Sequence, residues 1–417
     1  MLGNRPGIWP VWGFFLLSAW LQPSCVPTSN VALPPGKAKP LSVKSVEKTP
    51  ILTAPRLSWQ ENTFSPRPAS SPDPRLEVAE SVCGQGDASL HDVADWLATH
   101  FSEHDGAASI DLANFHLRRL GAPYVMPRLW SAQMSPLDEQ MIAESVGSWA
   151  KQRPALGEYR CGVAAAELKD GTFAVVVIQA DVLVDVQPIP TQVEPGSWLS
   201  LEAQLLVSAT EATVLLLPPV GPPRQLRTKV EGATIKARFP IETAGTWLVQ
   251  LMASVQGGPR PVAQLNVTAG IEPPDAPDAQ PVPGEEAADA KLDYDDALFA
   301  AVNAARDFQG LPQLKRNRRL DALARSHSEA MMSQGRISHD TGQGDPAYRV
   351  ERSGLRPKAT GENVALAGSP VRLHRALWGS PSHRENMLLR RWNELGVAVI
   401  KGEDNLLYAT QLYIDSD

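Results

Sequence analysis

The strongest apolar periodicity in the chain lies in its last third and predicts helices. Two stretches repeat the i, i+3, i+4, i+7 spacing of one helix face: Leu298, Ala301, Val302 and Ala305, and then Leu320, Leu323, Ala324, His327 and Met331. They predict two amphipathic helices that open a C-terminal domain over residues 291–417. Because His327 lies on the apolar stripe of the second helix, a hydrogen-bonded core histidine is favoured over a ligand.

The remainder of this domain predicts two more helices and a terminal hairpin. One helical stretch covers residues 370–378, and the next begins with Ser380 as its N-cap and Pro381 at its first helical position. Residues 395–400 and 406–414 are strand-like and flank a turn, which indicates a hairpin.

Alternation of apolar and polar positions marks a different domain over residues 182–270. Residues 199–205 alternate strictly, residues 247–251 and 263–267 repeat the pattern, and prolines and glycines separate the strands. Several short strands at this spacing predict a β-sandwich, which resembles the immunoglobulin-like modules of bacterial surface proteins in pattern only. Since it lacks cysteine and any chemical constellation, a spacer or a module that binds a protein partner is expected.

Residues 76–181 predict a small α+β domain of unknown function. Helical patterns at 90–100 and 110–120 precede two apolar strands, 162–166 and 173–178, which flank the turn-forming Lys169-Asp170-Gly171. Gly162-Val163-Ala164 also echoes Gly396-Val397-Ala398 before the terminal hairpin. This echo leaves open the alternative that the segment is a decayed copy of the C-terminal domain.

The N-terminus predicts export. Residues 1–25 combine Arg5, an apolar stretch and a small residue before Cys25, as a signal peptide does. Ser24-Cys25 resembles a bacterial lipobox, so lipid attachment at Cys25 and ordinary cleavage are both open. With three cysteines in an exported chain, a lipid on Cys25 leaves Cys83 and Cys161 to form a disulfide.

Two segments predict connections rather than domains. Residues 26–75 have a proline-rich composition that buries too little apolar surface to fold, which indicates an extended tether. Residues 271–290 carry five prolines and six acidic residues without Lys or Arg, which predicts a stiff, self-repelling linker.

Length and charge narrow the class of protein. A chain of 417 residues holds more than one core. The net charge of -7 disfavours nucleic acid as a partner. Beyond the signal peptide no apolar run approaches the length of a membrane-spanning helix, so contact with a membrane is expected only through a lipid anchor.

The C-terminal domain carries a series of short motifs in a recognisable order. These are Asn303-Ala304-Ala305-Arg306 with Gly310-Leu311, Ala324-Arg325-Ser326-His327-Ser328 with Met331-Met332, Ser338-His339, Gly361-Glu362-Asn363-Val364, Trp378, Ser382-His383-Arg384 with Asn386, Gly396-Val397, and Gln411. Their order resembles the CAP superfamily, also called the SCP domain, which comprises cysteine-rich secretory proteins, antigen 5 and pathogenesis-related 1 proteins. The resemblance is to the short bacterial branch and covers about 120 residues.

This resemblance implies a fold and a site. The fold is an α-β-α sandwich, which makes the whole chain an α+β multidomain protein. The implied cleft is lined by His339, Glu362 and His383, but the glutamate that many members carry shortly after the tryptophan has no counterpart after Trp378. Two imidazoles can coordinate zinc or another divalent cation, and Glu362 can act as a general base. The alternative is that Glu362 and His383 form a buried structural pair.

Three functions follow. The favoured one is an exported protein, lipid-anchored in the cell envelope or extracellular, whose cleft binds an envelope lipid, glycan or peptide, with or without a divalent metal. The second is a metal-assisted peptidase in which Glu362 activates water, disfavoured because no nucleophile motif occurs. The third is a surface adhesin whose cleft is only structural.

Overall fold

The computed structural model of the protein describes residues 69–101, 108–152, 155–255, 258–276, 281–288, 291–402 and 405–416. The predicted signal peptide, the lipidation position Cys25 and the predicted tether up to residue 68 lie outside this part. Among the described residues, no helix combines the length and apolar character needed to cross a membrane. The described residues divide into two compact units, one over residues 69–116 with Pro127–Asp181, and the other over Leu117–Met126 with the residues from Val182 onward.

The first unit combines helices with one four-stranded sheet. Its helices are α1 Glu77–Cys83, α2 Ala88–Thr99, α3 Ile110–Arg119 and α4 Glu139–Lys151, and its strands are β1 Gln85–Gly86, β2 Arg128–Met134, β3 Glu158–Glu167 and β4 Phe173–Val182. The strand order is β1-β3-β4-β2. Cys83 at the end of α1 and Cys161 on β3 are joined by a disulfide with a Cα–Cα distance of 5.9 Å.

The second unit begins with two sheets that share one core, here called the two-sheet domain (residues 182–270). Its strands are β5 Val184–Val186, β6 Gln192–Val193, β7 Ser197–Leu205, β8 Ala212–Leu217, β9 Arg224–Gln225, β10 Thr228–Glu231, β11 Thr234–Ile241, β12 Gly245–Val255 and β13 Gly258–Ala269. The sheets have the orders β10-β11-β7-β5 and β6-β13-β12-β8-β9. The predicted strands at 199–205, 247–251 and 263–267 lie within β7, β12 and β13. The immunoglobulin-like identity stays a prediction.

The C-terminal domain surrounds a four-stranded sheet with helices. The helices are α5 Tyr294–Phe308, α6 Arg318–Ser333, α7 Pro346–Arg352, α8 Pro370–Gly379 and α9 Pro381–Leu388, and the strands are β14 Lys315–Arg316, β15 Ala359–Ala367, β16 Glu394–Lys401 and β17 Leu407–Asp415. The order is β14-β16-β17-β15. Both amphipathic helices and the hairpin strands occur where the sequence predicts them. Side chains of α5, α8, α9 and the sheet form the largest core cluster of this domain.

The N-cap predicted for α9 is wrong in one respect. Ser380 precedes the helix, but its side chain makes no capping hydrogen bond. Pro381 has no N–H to offer. The next amide, that of Ser382, donates instead to Oε1 of Gln250 in the two-sheet domain at 3.2 Å. A long-range contact therefore replaces the local one.

The predicted linker is also partly wrong, because residues 281–288 pack on the C-terminal domain. Glu285 forms a bidentate pair with Arg375 at 2.6 and 2.7 Å, and the Pro283 carbonyl accepts a hydrogen bond from His374 Nε2 at 2.8 Å. Gly284 has φ 87° and fits so closely that an added Cβ would lie 2.3 Å from the Ala301 carbonyl oxygen. Arg375 thereby pairs with one of the six acidic side chains for which the sequence predicts mutual repulsion.

The first unit and the C-terminal domain share one sheet topology. In each, a two-residue strand runs parallel to the strand beside it, and the last strand pairs antiparallel with a strand from earlier in the chain. Helix α2 packs on β3 as α6 packs on β16. This agreement supports the alternative that the first unit is a decayed copy of the C-terminal domain.

Two glycines show the same correspondence at atomic detail. A Cβ added to Gly162 would lie 2.0 Å from the main-chain carbonyl carbon of Leu90 on α2, and one added to Gly396 would lie 2.3 Å from that of Leu320 on α6. In both domains a glycine thus lets the first hairpin strand touch the helix backbone. The echo between the two Gly-Val-Ala segments reflects a shared packing requirement.

Candidate functional site

The candidate site is organised around Glu362 on β15. Side chains alternate between the faces of a strand, and Val364 and Leu366 pack in a cluster with Met331 of α6. Glu362 therefore faces the layer of α6 and α7. Its side chain is completely buried.

Glu362 has charged and polar partners at both carboxylate oxygens. Nδ1 of His339 lies 2.8 Å from Oε1, and Nη2 of Arg349 donates to Oε2 at 2.7 Å. Burial alone would raise the pKa of Glu362, but the positive charge of Arg349, the charge of His327 when it is protonated, and the bond to His339 outweigh it and hold the pKa at about 2. The carboxylate is ionised at neutral pH, and each of its oxygens has a partner.

His339 is held in place by the loop between α6 and α7. The Ser338 hydroxyl donates to the Asp340 carbonyl at 2.7 Å, and Asp340 Oδ1 accepts from the amides of Gly342 and Gly344 at 2.8 and 3.0 Å. The His339 carbonyl in turn accepts from Arg349 Nη2 at 3.1 Å. These bonds fix the imidazole that contacts Glu362, and only 4% of His339 is exposed.

Arg349 on α7 is a site residue that the sequence analysis missed. It bonds Glu362, the His339 carbonyl and, through Nε at 3.2 Å, the Gly344 carbonyl. Asp345 caps α7 and Pro346 occupies its first turn, a signal that predicts the helix. Nothing in the sequence separates Arg349 from Arg352 on the same helix, since only the tertiary fold brings one of them to a carboxylate.

His327 is buried, as predicted for a core histidine, and it lies beside the site. Its Nε2 is 2.7 Å from the Ser338 carbonyl and 3.7 Å from Glu362 Oε1. Burial lowers the pKa of His327, so the ring is neutral at neutral pH and donates to Ser338. His327 thereby supports the loop that carries His339.

His383 is held from the other side of β15. Asn363, whose side chain points away from the Glu362 face, donates to the His383 carbonyl at 3.0 Å and to Gln411 Oε1 at 3.0 Å. Asn386 of α9 donates to Asn363 Oδ1 at 3.0 Å and to the Glu362 carbonyl at 3.2 Å. The structure thus pairs Glu362 with His339, whereas the pair weighed in the sequence analysis was Glu362 with His383.

The donor set at Glu362 does not fit a metal ion. In the part of the chain that the structure describes, no three or more His, Cys, Asp or Glu side chains are grouped to hold a metal, and protein zinc sites use three or four ligands. Arg349 also places a positive charge 2.7 Å from the Glu362 carboxylate. The zinc site that the sequence predicts on His339 and His383 is not tested by this arrangement.

The first unit has apolar residues where the C-terminal domain has its site. In the shared hairpin register, Leu129 of β2 occupies the position of Glu362 on β15. Counted from the glycine contacts, Leu97 of α2 occupies the position of His327 on α6. At these two positions the first unit therefore has no counterpart of Glu362 or His327.

Comparison with known proteins agrees with the predicted family for this domain. Residues 299–413 match the profile of the cysteine-rich secretory protein family, CAP. An uncharacterized Bacillus subtilis protein, YkwD, is 28% identical over 110 residues, which are 26% of this chain and 43% of that protein. The match therefore spans less than half of the relative.

Solved structures of similar proteins include two bacterial examples. An extracellular Bacillus anthracis protein that contains an SCP domain is 16% identical, with 54% of this chain and 88% of that chain covered and a TM-score of 0.28. A Borrelia burgdorferi outer surface protein is 21% identical, with 29% of this chain and 90% of that chain covered and a TM-score of 0.28.

Proposed function

We propose that this chain, whose residues 299–413 form a CAP domain, is an exported bacterial protein that binds an envelope lipid, glycan or peptide at the site around His339, Glu362 and His383. The predicted signal peptide supports export, and the lipobox-like Ser24-Cys25 supports a lipid anchor. Contact with the membrane is then through that anchor.

The ionisation of Glu362 and the contacts of its oxygens are the observation that favours binding over hydrolysis. A general base for water needs a pKa near the working pH and a free oxygen. Glu362 has a pKa of about 2, and Arg349 and His339 contact its two oxygens. Such a carboxylate fixes the positions of its neighbours and is a poor proton acceptor.

The rim of the site has the chemistry of a polar ligand surface. Asp340 in the loop after His339 is exposed, and Tyr348 on α7 is 49% exposed, with the Arg352 guanidinium 5.7 Å from its ring centre. An aromatic ring beside charged groups suits a glycan or a peptide, where stacking and hydrogen bonds act together.

Co-sedimentation of the purified chain tests this function. The probes are purified peptidoglycan and vesicles of phosphatidylcholine with phosphatidylglycerol, and released products are followed by mass spectrometry. We expect capture by at least one probe without product, and at least a tenfold loss in His339→Ala. The exposed Arg319→Ala variant is the control and should bind as the wild type does.

Other results would favour the alternatives. Product release that disappears in Glu362→Gln would replace binding with hydrolysis. Undiminished capture in both His339→Ala and His383→Ala would assign binding to a surface outside the site, as an adhesin requires.

A further inference from the structure

The two-sheet domain presents one unusual face. In β12, Trp247, Val249 and Leu251 point into the core shared by the two sheets. The alternate positions Leu248, Gln250 and Met252 point to the outer face, yet they are only 7%, 1% and 2% exposed. An antiparallel sheet normally leaves one face in water, so another part of the protein covers this outer face.

The opposite sheet provides the contrast within the same domain. On β7, the outward positions Trp198, Ser200, Glu202 and Gln204 are exposed, Trp198 to 59%. The burial of the outer face is thus a property of the sheet that contains β8 and β12. It is not a general feature of the two-sheet domain.

Helix α9 of the CAP domain lies against that face. It packs on β8, and the Ser382 amide in its first turn donates to Gln250 Oε1 at 3.2 Å. The first amides of a helix lack partners within the helix. Gln250 thus serves as the cap that Ser380 does not provide.

The other side of α9 packs on the face of β15 that carries Asn363, opposite to the Glu362 carboxylate. Asn386 bonds the Glu362 carbonyl, and Asn363 bonds the His383 carbonyl. All residues of the helix except Glu385 are buried, and burial raises the pKa of Glu385. The helix is therefore a layer between β15 and the two-sheet domain, and His383 is only 1% exposed.

We propose that the two-sheet domain is an intramolecular cover of His383: it docks on α9 through the outer face of β8 and β12, and a ligand reaches His383 only when this contact opens. The control of ligand access rests on the proposed function, but the docking itself is testable without any ligand. The contact includes apolar side chains of the outer face and the hydrogen bond from the Ser382 amide to Gln250.

Hydrogen exchange of the full chain tests the docking. Gln250→Lys buries a charge against α9, and Gln204→Lys places the same charge on the exposed face of β7 as the matched control. We expect the amides of α9 to exchange about tenfold faster in Gln250→Lys, while the control behaves as the wild type and the amides of β15 and β17 stay protected. Gln250→Ala, which adds no charge, should show a smaller increase and serves if Gln250→Lys does not fold.

Wild-type exchange of the α9 amides in both Gln250 variants would overturn the cover. Capture of peptidoglycan and of the phosphatidylglycerol vesicles is measured on the same samples, with at least a threefold gain expected in Gln250→Lys over Gln204→Lys. If exchange rises and no variant captures either probe, the docking stands and the proposed function fails. Equal capture by the two lysine variants despite faster exchange would overturn the gating.

Discussion

The guanidinium of Arg349 and the carboxylate of Glu362 form a 2.7 Å ion pair in which neither side chain is more than 5% exposed. His339 completes the pair through Glu362 Oε1. Because three elements, α7, β15 and the loop after α6, meet in this cluster, it links the stability of the CAP domain to the geometry of its site.

Removal of Arg349 should be strongly destabilising. Arg349→Met leaves the buried Glu362 charge without its main partner, which costs about 3–5 kcal/mol in comparable pairs. Urea unfolding measures the loss in free energy of unfolding. Arg352→Met on the same helix is the control and should lose less than about 1 kcal/mol, since Arg352 is exposed. Equal losses in the two variants would contradict the assignment.

The buried His327 should make stability fall in mild acid. Burial lowers its pKa in the folded protein, whereas a histidine in the unfolded chain has a pKa of about 6.5. The neutral ring therefore stabilises the fold above about pH 6.5, and this contribution is lost as protonation becomes favourable below that pH. His327→Gln should flatten the fall in unfolding free energy below that value, with the remaining slope due in part to His374, whose pKa is also lowered by burial. An unchanged slope would contradict this role.

The glycine that brings α6 to the sheet should not tolerate a side chain. In Gly396→Ala the new Cβ would lie 2.3 Å from main-chain and side-chain carbons of Leu320. We expect a loss of at least about 2 kcal/mol in thermal or urea unfolding, typical of overpacking. Gly379→Ala is the control, because nothing lies within 4 Å of its added Cβ. A tolerated Gly396→Ala would show that the helix can move away from the sheet.

Much of the fold follows from local pattern, whereas the site follows only in part. The stripes on α5 and α6 and the alternation on β7 predict their elements, because burial on one face imposes a period. The resemblance of the ordered motifs to a known family predicts three site residues, His339, Glu362 and His383.

Contacts between residues that are distant in the sequence cannot be predicted from local pattern. Nothing local marks Gln250 as the cap of α9, since its partner lies in another domain. The same holds for Glu285. From the sequence its charge predicts repulsion within the linker, whereas in the fold it pairs with Arg375.

Zinc binding can be tested by calorimetric titration of the full chain. The donor groups on the described residues predict no saturable zinc site that depends on both histidines, because two imidazoles leave such a site short of ligands. A one-site isotherm that disappears in His339→Ala and in His383→Ala would contradict this expectation. It would also establish the metal-competent cleft that the sequence analysis left open.

We propose that Glu362 stays ionised and anchors the proposed binding site. Its carboxyl carbon can be followed by NMR in protein labelled at glutamate, with Glu362→Gln identifying the signal, as the pH is lowered from neutral. We expect a pKa of about 2, with no titration near neutral pH. A pKa within about one unit of neutrality, the range of a general base, would contradict it and favour hydrolysis.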